Sequence, residues 1–142
     1  MVLNRYGAKY RLFLLIAKIG RFFEQGGEPR PTRIDYLVAI GSLEPRIATP
    51  LALVVTELIH NALEHGLAEE GSALGIHATL NGRELAVTIS DDGVGFPEGF
   101  DIATSPNLGL QIVRTLTENE LRGELQLITD DQQTRAILTF PV

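Results

Sequence analysis

The chain has 142 residues, of which 44% are hydrophobic and 21% are charged, and its formal net charge is −6. This length suits one domain with its own core. The absence of cysteine excludes disulfides, thiolate metal sites and a cysteine nucleophile, and the acidic balance argues against binding to nucleic acid or an anionic membrane. A small anionic ligand held by backbone N–H groups or by a metal ion stays compatible with this charge.

The N-terminal part of the sequence predicts a helix over residues 8–24, because its apolar side chains follow helical spacing. Its apolar run, residues 12–17, is far shorter than the ~20 residues of a membrane-spanning helix, and no small-residue cleavage site follows it. We therefore expect a cytoplasmic chain. Glycines and prolines around 26–31 end this helix and form a linker, which divides the chain into an N-terminal segment, 1–30, and a domain, 31–142.

The next two elements are a strand and the clearest helix of the sequence. Residues 33–41 alternate between apolar and polar side chains, which predicts the strand. Thr49 as an N-cap and Pro50 in the first helical position predict a helix that ends near His65, where Gly66 is a typical stop. The side chains expected on its core-facing stripe are those of Leu51, Val54, Val55, Leu58 and Ala62.

The second half of the chain predicts a sheet with one more helix. Strands over 74–80 and 84–91 flank Asn81-Gly82, a strong hairpin turn. The elements that follow are a glycine-rich loop, a helix and two strands, over 92–107, 108–119, 124–129 and 134–140. Because the helices are too few to cover both faces of a sheet, this order predicts an α/β (α+β) two-layer sandwich, with a mixed sheet and helices packed on one face.

Three polar motifs occur in order along these elements, and the first lies on the helix that begins near Thr49. Glu57 and Asn61 are four residues apart, so both side chains project from the same face. A carboxylate and an amide one turn apart suit a hydrated Mg²⁺, which prefers oxygen ligands and takes the rest of its shell from water and substrate phosphates. Taken alone, the pair is also typical of a solvated helix face.

The second motif is Asp91-x-Gly93-x-Gly95, directly at the end of a strand. A carboxylate at this position can accept a hydrogen bond from an exocyclic amine such as adenine N6. The two glycines let the backbone approach a ring closely. Taken alone, the motif is also typical of an acidic turn that leaves a strand.

The third motif is Leu108-Gly109-Leu110, where the glycine-rich loop enters a helix. Free N–H groups at a helix N-terminus, together with the helix dipole, make a ready phosphate site. The same residues are also compatible with an ordinary helix start capped by Asn107.

Together and in this order, the motifs resemble those of the Bergerat-fold ATPases, which include histidine kinases, DNA gyrase, the large heat-shock chaperones and the anti-sigma serine kinases. The first motif is similar to their N box, the second to their first glycine box and the third to their second. The resemblance covers about residues 33–142 and is closest to sensor histidine kinases with a short ATP lid, since the loop between the glycine boxes spans only about 96–107.

The resemblance implies that ATP and Mg²⁺ are the cofactors and assigns catalytic roles to the N box. Asn61 would coordinate Mg²⁺, with Glu57 contributing through water. Glu57 would also orient a water or polarise the attacking group near the γ-phosphate.

The resemblance also assigns the nucleotide contacts. Asp91 would read adenine N6, and the residues that would enclose the base are Gly93, Gly95 and Phe96. The residues at the phosphates would be Leu108, Gly109 and Leu110, the last two through their N–H groups. His65 either approaches a phosphate or is a helix-end histidine stabilised by the helix dipole.

Two departures from the family pattern leave catalytic competence open. Glu64 stands where many histidine kinases carry a lysine, and the lid, 98–106, contains no lysine or arginine. Phosphoryl transfer depends on cationic groups around the phosphates. Mg²⁺ and Arg114 are the nearby cations that the sequence offers.

The expected function is the ATP-binding catalytic domain of a two-component sensor histidine kinase. Sensor kinases phosphorylate a histidine on an upstream dimerisation segment, and no histidine precedes His60, so we expect that segment and a response regulator to be separate partners and the chain to be a monomer. The helix over 8–24 is then a remnant of the dimerisation segment, a docking helix, or a helix that packs on the core.

Two alternatives remain. An anti-sigma-type serine kinase, acting on a sigma factor, is naturally a lone domain of about this length. A non-catalytic nucleotide-binding interaction module would fit Glu64 and the uncharged lid.

Overall fold

The structure is a computed structural model that describes residues 10–11, 33–38, 42–66, 73–93, 95–96, 99–130 and 133–142. Its strands are β1 (Tyr10–Arg11), β2 (Arg33–Val38), β3 (Ser42–Leu43), β4 (Ala73–Asn81), β5 (Glu84–Asp91), β6 (Glu124–Thr129) and β7 (Thr134–Pro141). Its α-helices are α1 (Pro45–Asn61) and α2 (Leu108–Thr115), which continue into the π-helical turns Ala62–Gly66 and Leu116–Leu121.

Five strands form one mixed sheet in the order β2-β4-β5-β7-β6. β2 runs parallel to β4, and the other neighbours are antiparallel. Alternate side chains of each inner strand are buried on one face, where the apolar ones pack with α1 and α2 in a single core. Those of β5 are Leu85, Val87 and Ile89, and Asp91 is buried at the end of the same strand. The predicted two-layer fold, with helices on one face of a mixed sheet, is confirmed.

The helix that carries the first motif begins earlier than predicted. The N-cap residue is Glu44 and Pro45 is the first helical residue, so the prediction of Thr49 as the N-cap is wrong. Pro45 provides the same first-turn signal as Pro50. Because the helix starts at Pro45, it also brings Ile47 and Ala48 into the core, where both are buried.

Pro50 therefore lies inside α1 and is buried, although a proline inside a helix removes one backbone hydrogen bond. The predicted core stripe of this helix is confirmed, because each of its side chains is buried: Leu51, Val54, Val55, Leu58 and Ala62. This packing leaves Glu57 and Asn61 half-buried on the adjoining face.

The helix predicted over 8–24 lies largely outside the described residues, as does the linker around 26–31. Its described part, Tyr10–Arg11, is extended and pairs antiparallel with Ser42–Leu43, so the prediction is wrong for these two residues. Pairing with a distant segment outweighs local helical preference there. Among the helices that the structure describes, none has the length and apolar character needed to cross a bilayer.

Candidate functional site

A pocket that is open to solvent lies between α1 and the end of β5. The pocket brings together three residues from the first and second motifs, Asn61, Asp91 and Gly95, and the adjoining Phe96. The rest of the lining is apolar apart from one hydroxyl, and consists of Leu58, Ala62, Ile89, Thr134 and Ala136.

Asp91 supplies the carboxylate of this pocket. Asp91 is only 6% exposed to solvent, and one of its carboxylate oxygens accepts a hydrogen bond of 2.9 Å from the N–H of Gly93. Burial raises the pKa of Asp91 above its ordinary value of 3.8, and the charge of Asp92 adds to this, while the Gly93 hydrogen bond opposes it. The second carboxylate oxygen can therefore accept a hydrogen bond from a ligand, which would also stabilise the buried charge.

Gly95 closes the loop against the ends of β6 and β7. Its φ of +82° is in the left-handed region that favours glycine, and a Cβ at this position would lie 2.5 Å from Cγ2 of Thr129 and 3.1 Å from Oγ1 of Thr134. The next residue, Phe96, donates its N–H to Oγ1 of Thr129 at 3.1 Å. A side chain at residue 95 would therefore push the loop away from the pocket.

Thr134 is a pocket residue that sequence reasoning missed. Its hydroxyl oxygen is buried and has no hydrogen-bond partner among the described residues, and the residue pairs with Asp91 across β5 and β7. A buried polar group without a partner is costly, which points to a ligand or solvent partner within the pocket. The signal in the sequence was the alternation of β7, which places Thr134 on the same face as Ala136 and Leu138.

The first and third motifs meet at the start of α2. A Cβ on Gly109 would overlap Oε2 of Glu57, so the carboxylate lies directly against the glycine. One turn along α1, Oδ1 of Asn61 accepts a hydrogen bond of 3.5 Å from Nδ2 of Asn107. The absence of a side chain at residue 109 is what lets the carboxylate approach the beginning of the helix.

The oxygens of Glu57 and Asn61 fit a Mg²⁺ ion. No cluster of three histidine, aspartate or glutamate ligands is found among the described residues, so this part of the chain offers no closed protein site for a metal. A carboxylate and an amide oxygen suit an ion that completes its shell with waters and phosphate oxygens.

The N-terminus of α2 presents two N–H groups. The first N–H groups of a helix have no partner within it. The N–H of Leu110 is taken by Oδ1 of Asn107 at 3.0 Å, and that of Gln111 by the carbonyl of Asn107 at 3.1 Å. The N–H groups of Leu108 and Gly109 remain at the positive end of the helix dipole, where an anion is stabilised.

The loop before α2 is tied to that helix. Nε2 of Gln111 donates two hydrogen bonds of 2.8 Å, to the carbonyls of Ile102 and Ser105. The ring of Phe100 stacks on that of Phe96, with centroids 5.0 Å apart. These contacts hold the described part of the loop, 99–107, against α2 and Phe96.

Glu64 and Arg114, the charged residues that the sequence singled out near the motifs, each contact a side chain one turn away. Glu64 lies 3.0 Å from Nε2 of His60, and Arg114 lies 3.4 Å from Glu118, one turn further along the second helix. Arg114 is thus engaged away from the helix start. The side chain of His65 lies outside the described residues, so its expected approach to a phosphate stays a prediction.

Comparison with known proteins gives a family and several relatives. The family described as histidine kinase-, DNA gyrase B- and HSP90-like ATPase matches residues 47–142. PdtaS, a sensor histidine kinase of Mycobacterium tuberculosis, is 44% identical over 117 residues, which are 80% of this chain and 23% of that protein. The chain thus spans less than a quarter of the length of this relative.

Two further matches are informative. The histidine kinase domain of the EL346 blue-light activated histidine kinase from Erythrobacter litoralis superposes with a TM-score of 0.74 at 27% identity, covering 89% of this chain and 60% of that one. The anti-sigma F factor of Clostridium kluyveri is 29% identical over 76 residues, which are 52% of this chain and 53% of that protein.

Proposed function

Since the chain belongs to the histidine kinase-, DNA gyrase B- and HSP90-like ATPase family, we propose that it is the ATP-binding catalytic domain of a two-component sensor histidine kinase. The resemblance to the Bergerat-fold ATPases predicted from the three motifs is confirmed by the family match. The observation that carries the proposal is that the fold places Asn61 of the first motif and Asp91 of the second in the lining of one pocket, and sets Gly109 of the third motif against Glu57 of the first.

Adenine binding follows from the apolar pocket and its two polar groups. Asp91 accepts a hydrogen bond from the exocyclic amine of adenine, and the unpartnered hydroxyl of Thr134 bonds to the same edge of the ring, directly or through water. Gly93 and Gly95 let the backbone lie against the base, while Phe96 covers the mouth of the pocket.

The triphosphate then extends towards the start of α2. The N–H groups of Leu108 and Gly109 donate to phosphate oxygens at the positive end of the helix dipole, with the side chain of His65 as a further proposed contact. The N–H of Leu110, which the resemblance assigned to a phosphate, is held by Asn107 instead. Asn61 would hold Mg²⁺, with Glu57 contributing through water, and an ion bound there would supply positive charge to the phosphate oxygens.

Phosphoryl transfer requires a histidine supplied by another segment. The lone pair of its imidazole nitrogen attacks the γ-phosphorus, the bond between that phosphorus and the β–γ bridging oxygen breaks, and ADP leaves. Glu57 accepts a hydrogen bond from the other imidazole nitrogen, which orients the attacking one and takes up its developing charge.

The proposed partners and organisation follow from this chemistry. We propose a histidine-bearing dimerisation segment as phosphoacceptor, a response regulator downstream, a cytoplasmic location, and a monomeric chain 1–142. Residues 31–142 form the ATP-binding domain, and the pairing of Tyr10–Arg11 with Ser42–Leu43 favours an N-terminal segment, 1–30, that docks on this domain.

Calorimetric titration with ATP, with and without Mg²⁺, tests the nucleotide site. We expect binding that Asp91→Asn weakens by about 10–100-fold and whose Mg²⁺ dependence Asn61→Ala removes. Exposed Asn119→Ala is the matched control and leaves both unchanged. Absence of binding at millimolar ATP would reject the proposal and leave a protein-interaction role.

The anti-sigma alternative is supported by the match to an anti-sigma F factor, although that match is shorter and lower in identity. The two functions differ in their phosphorylated product. Transfer from labelled ATP to a dimerisation segment gives phosphohistidine, which acid hydrolyses, whereas a serine kinase gives acid-stable phosphoserine on a partner protein.

A further inference from the structure

Asn107 has only one role in the family motifs and in the proposed function, which is to cap a helix. It precedes Leu108 and is the N-cap of α2, with Oδ1 accepting the hydrogen bond from the N–H of Leu110 at 3.0 Å. Its other side-chain atom, Nδ2, donates to Oδ1 of Asn61 at 3.5 Å. One carboxamide thus connects the second glycine box with the N box.

The capping hydrogen bond determines the orientation of the side-chain carboxamides of both Asn107 and Asn61. A backbone N–H can bond only to an acceptor, so the oxygen of Asn107 must face Leu110 and its nitrogen must face Asn61. A nitrogen donor facing Asn61 in turn requires an acceptor there, so Asn61 presents its oxygen and not its nitrogen. The N–H of Leu110 therefore fixes, through two side chains, the orientation of the proposed metal ligand.

We propose that Asn107 is a positioning residue that selects the oxygen of Asn61 as the atom presented to the Mg²⁺ of the ATP complex. The inference rests on the proposed function for its ligand. A carbonyl oxygen has two lone pairs, so it can accept from Asn107 and still bind a cation. Residues that hold a metal ligand in orientation commonly change metal affinity by about 10–100-fold when they are replaced.

The geometry also links the metal ligand to the lid. The backbone N–H of Asn107 donates to Oγ of Ser105 at 3.2 Å, and the carbonyl of Ser105 accepts from Gln111. A displacement of the lid at residue 105 is thereby transmitted to the residue that orients Asn61. None of the side chains in these hydrogen bonds is charged, and the lid contains no lysine or arginine.

The test compares two substitutions that keep the cap. Asn107→Asp retains a capping oxygen at a helix N-terminus, where a negative charge is favourable, but presents an acceptor to Asn61. The carboxamide of Asn61 then turns its nitrogen to the new carboxylate and its oxygen away. Asn107→Ser retains a capping hydroxyl and removes the Nδ2 donor without adding charge.

The readout is the ratio of the ATP dissociation constants without and with Mg²⁺. We expect Asn107→Asp to lower this ratio by about tenfold or more, and Asn107→Ser to lower it by a smaller factor, with melting temperatures near that of the parent chain. Adenosine, which lacks phosphates, binds all three proteins equally. Exposed Asn119→Asp, which makes the same charge change, leaves the ratio unchanged. An unaltered ratio in both residue-107 variants would overturn the inference.

A measurement without nucleotide separates this inference from the proposed function. The side-chain amide resonances of Asn61 are followed by ¹⁵N NMR in the parent protein and in Asn107→Asp. A downfield shift of these amide protons in the variant supports the orienting contact, and an unchanged position overturns it, whether or not ATP binds. If the parent chain fails to bind ATP, the proposed function fails, and the NMR result still decides the role of Asn107.

Discussion

Asp91 and Thr134 lie opposite each other in register at the ends of β5 and β7. Both are buried, at 6% exposure each, and both line the same pocket. In the part of the chain that the structure describes, the carboxylate accepts a hydrogen bond from the N–H of Gly93, whereas the hydroxyl has no hydrogen-bond partner. Buried polar groups normally have hydrogen-bond partners, so both groups are suited to bind a ligand.

Asp91→Asn is expected to weaken ATP binding while making the unliganded domain more stable. The new side chain keeps an oxygen for the N–H of Gly93 but presents a nitrogen donor to the adenine amine, so affinity falls by about 10–100-fold. The buried charge disappears at the same time, which raises the melting temperature. Calorimetric titration and thermal denaturation measure the two effects, and a variant that is less stable than the parent at neutral pH would contradict the explanation.

The stability gain from Asp91→Asn should depend on pH. Burial raises the pKa of Asp91 in the folded chain above 3.8, so folding favours the protonated form. That stabilisation is fully present below 3.8 and is lost as pH rises through the raised pKa. The difference in melting temperature between variant and parent is therefore largest near neutral pH and shrinks as pH is lowered. A difference that grows on acidification would show that the carboxylate is stabilised by folding.

Thr134→Val is expected to weaken ATP binding without loss of stability. Valine matches threonine in shape, and removing an unpartnered buried hydroxyl is neutral or stabilising. The loss of one hydrogen bond to the base lowers affinity by about threefold to tenfold. Thr134→Ser, which keeps the hydroxyl, is the control and retains most of the affinity. Equal affinities for Thr134→Val and the parent chain would place the base elsewhere in the pocket.

The order of elements could be predicted from sequence because local signals agree with the final packing. The hairpin at Asn81-Gly82 and the strands beside it follow from turn chemistry and alternation. The start of α1 was misplaced because two prolines, Pro45 and Pro50, carry the same first-turn signal, and only packing against the core decides between them. Local sequence carries no such information.

The candidate site could be predicted in its motifs but not in the contacts between them. Glu57, Asn61 and Asp91 were identified from their spacing and neighbours. Thr134 was not, because its position opposite Asp91 depends on the register of β7, which joins residues far apart in sequence. The contact between Asn107 and Asn61 is likewise set by the packing of the two helices, and neither residue signals it locally.

Gly109→Ala is expected to impair phosphoryl transfer selectively. A methyl group there would overlap the carboxylate of Glu57, and the flexible glutamate moves aside, so the fold tolerates the change and the helix gains up to about 1 kcal/mol in propensity. Transfer to an acceptor histidine should fall by about tenfold or more because Glu57 no longer lies at the γ-phosphate. In a Glu57→Ala background, Gly109→Ala should lower the transfer rate no further. If the two substitutions instead lower the rate independently of each other, the contact between Gly109 and Glu57 has no catalytic role.

Gln111→Leu is expected to release the lid from α2. Leucine is of similar size but cannot donate to the carbonyls of Ile102 and Ser105, so both lose a 2.8 Å hydrogen bond. Two lost hydrogen bonds of about 1 kcal/mol each should raise the hydrogen-exchange rates of the amides of Thr104 and Ser105 by about tenfold or more, because these N–H groups close the turn over 101–105.

A mobile lid should also shorten the residence time of ATP, since the stacked rings of Phe96 and Phe100 would no longer be held over the pocket. Stopped-flow displacement of a fluorescent ATP analogue measures this directly. Exposed Gln126→Leu on β6 is the matched control and changes neither exchange nor dissociation. If lid exchange rises in Gln111→Leu while the dissociation rate stays that of the parent, the loop has no role in retaining nucleotide, and the base pocket alone sets the residence time.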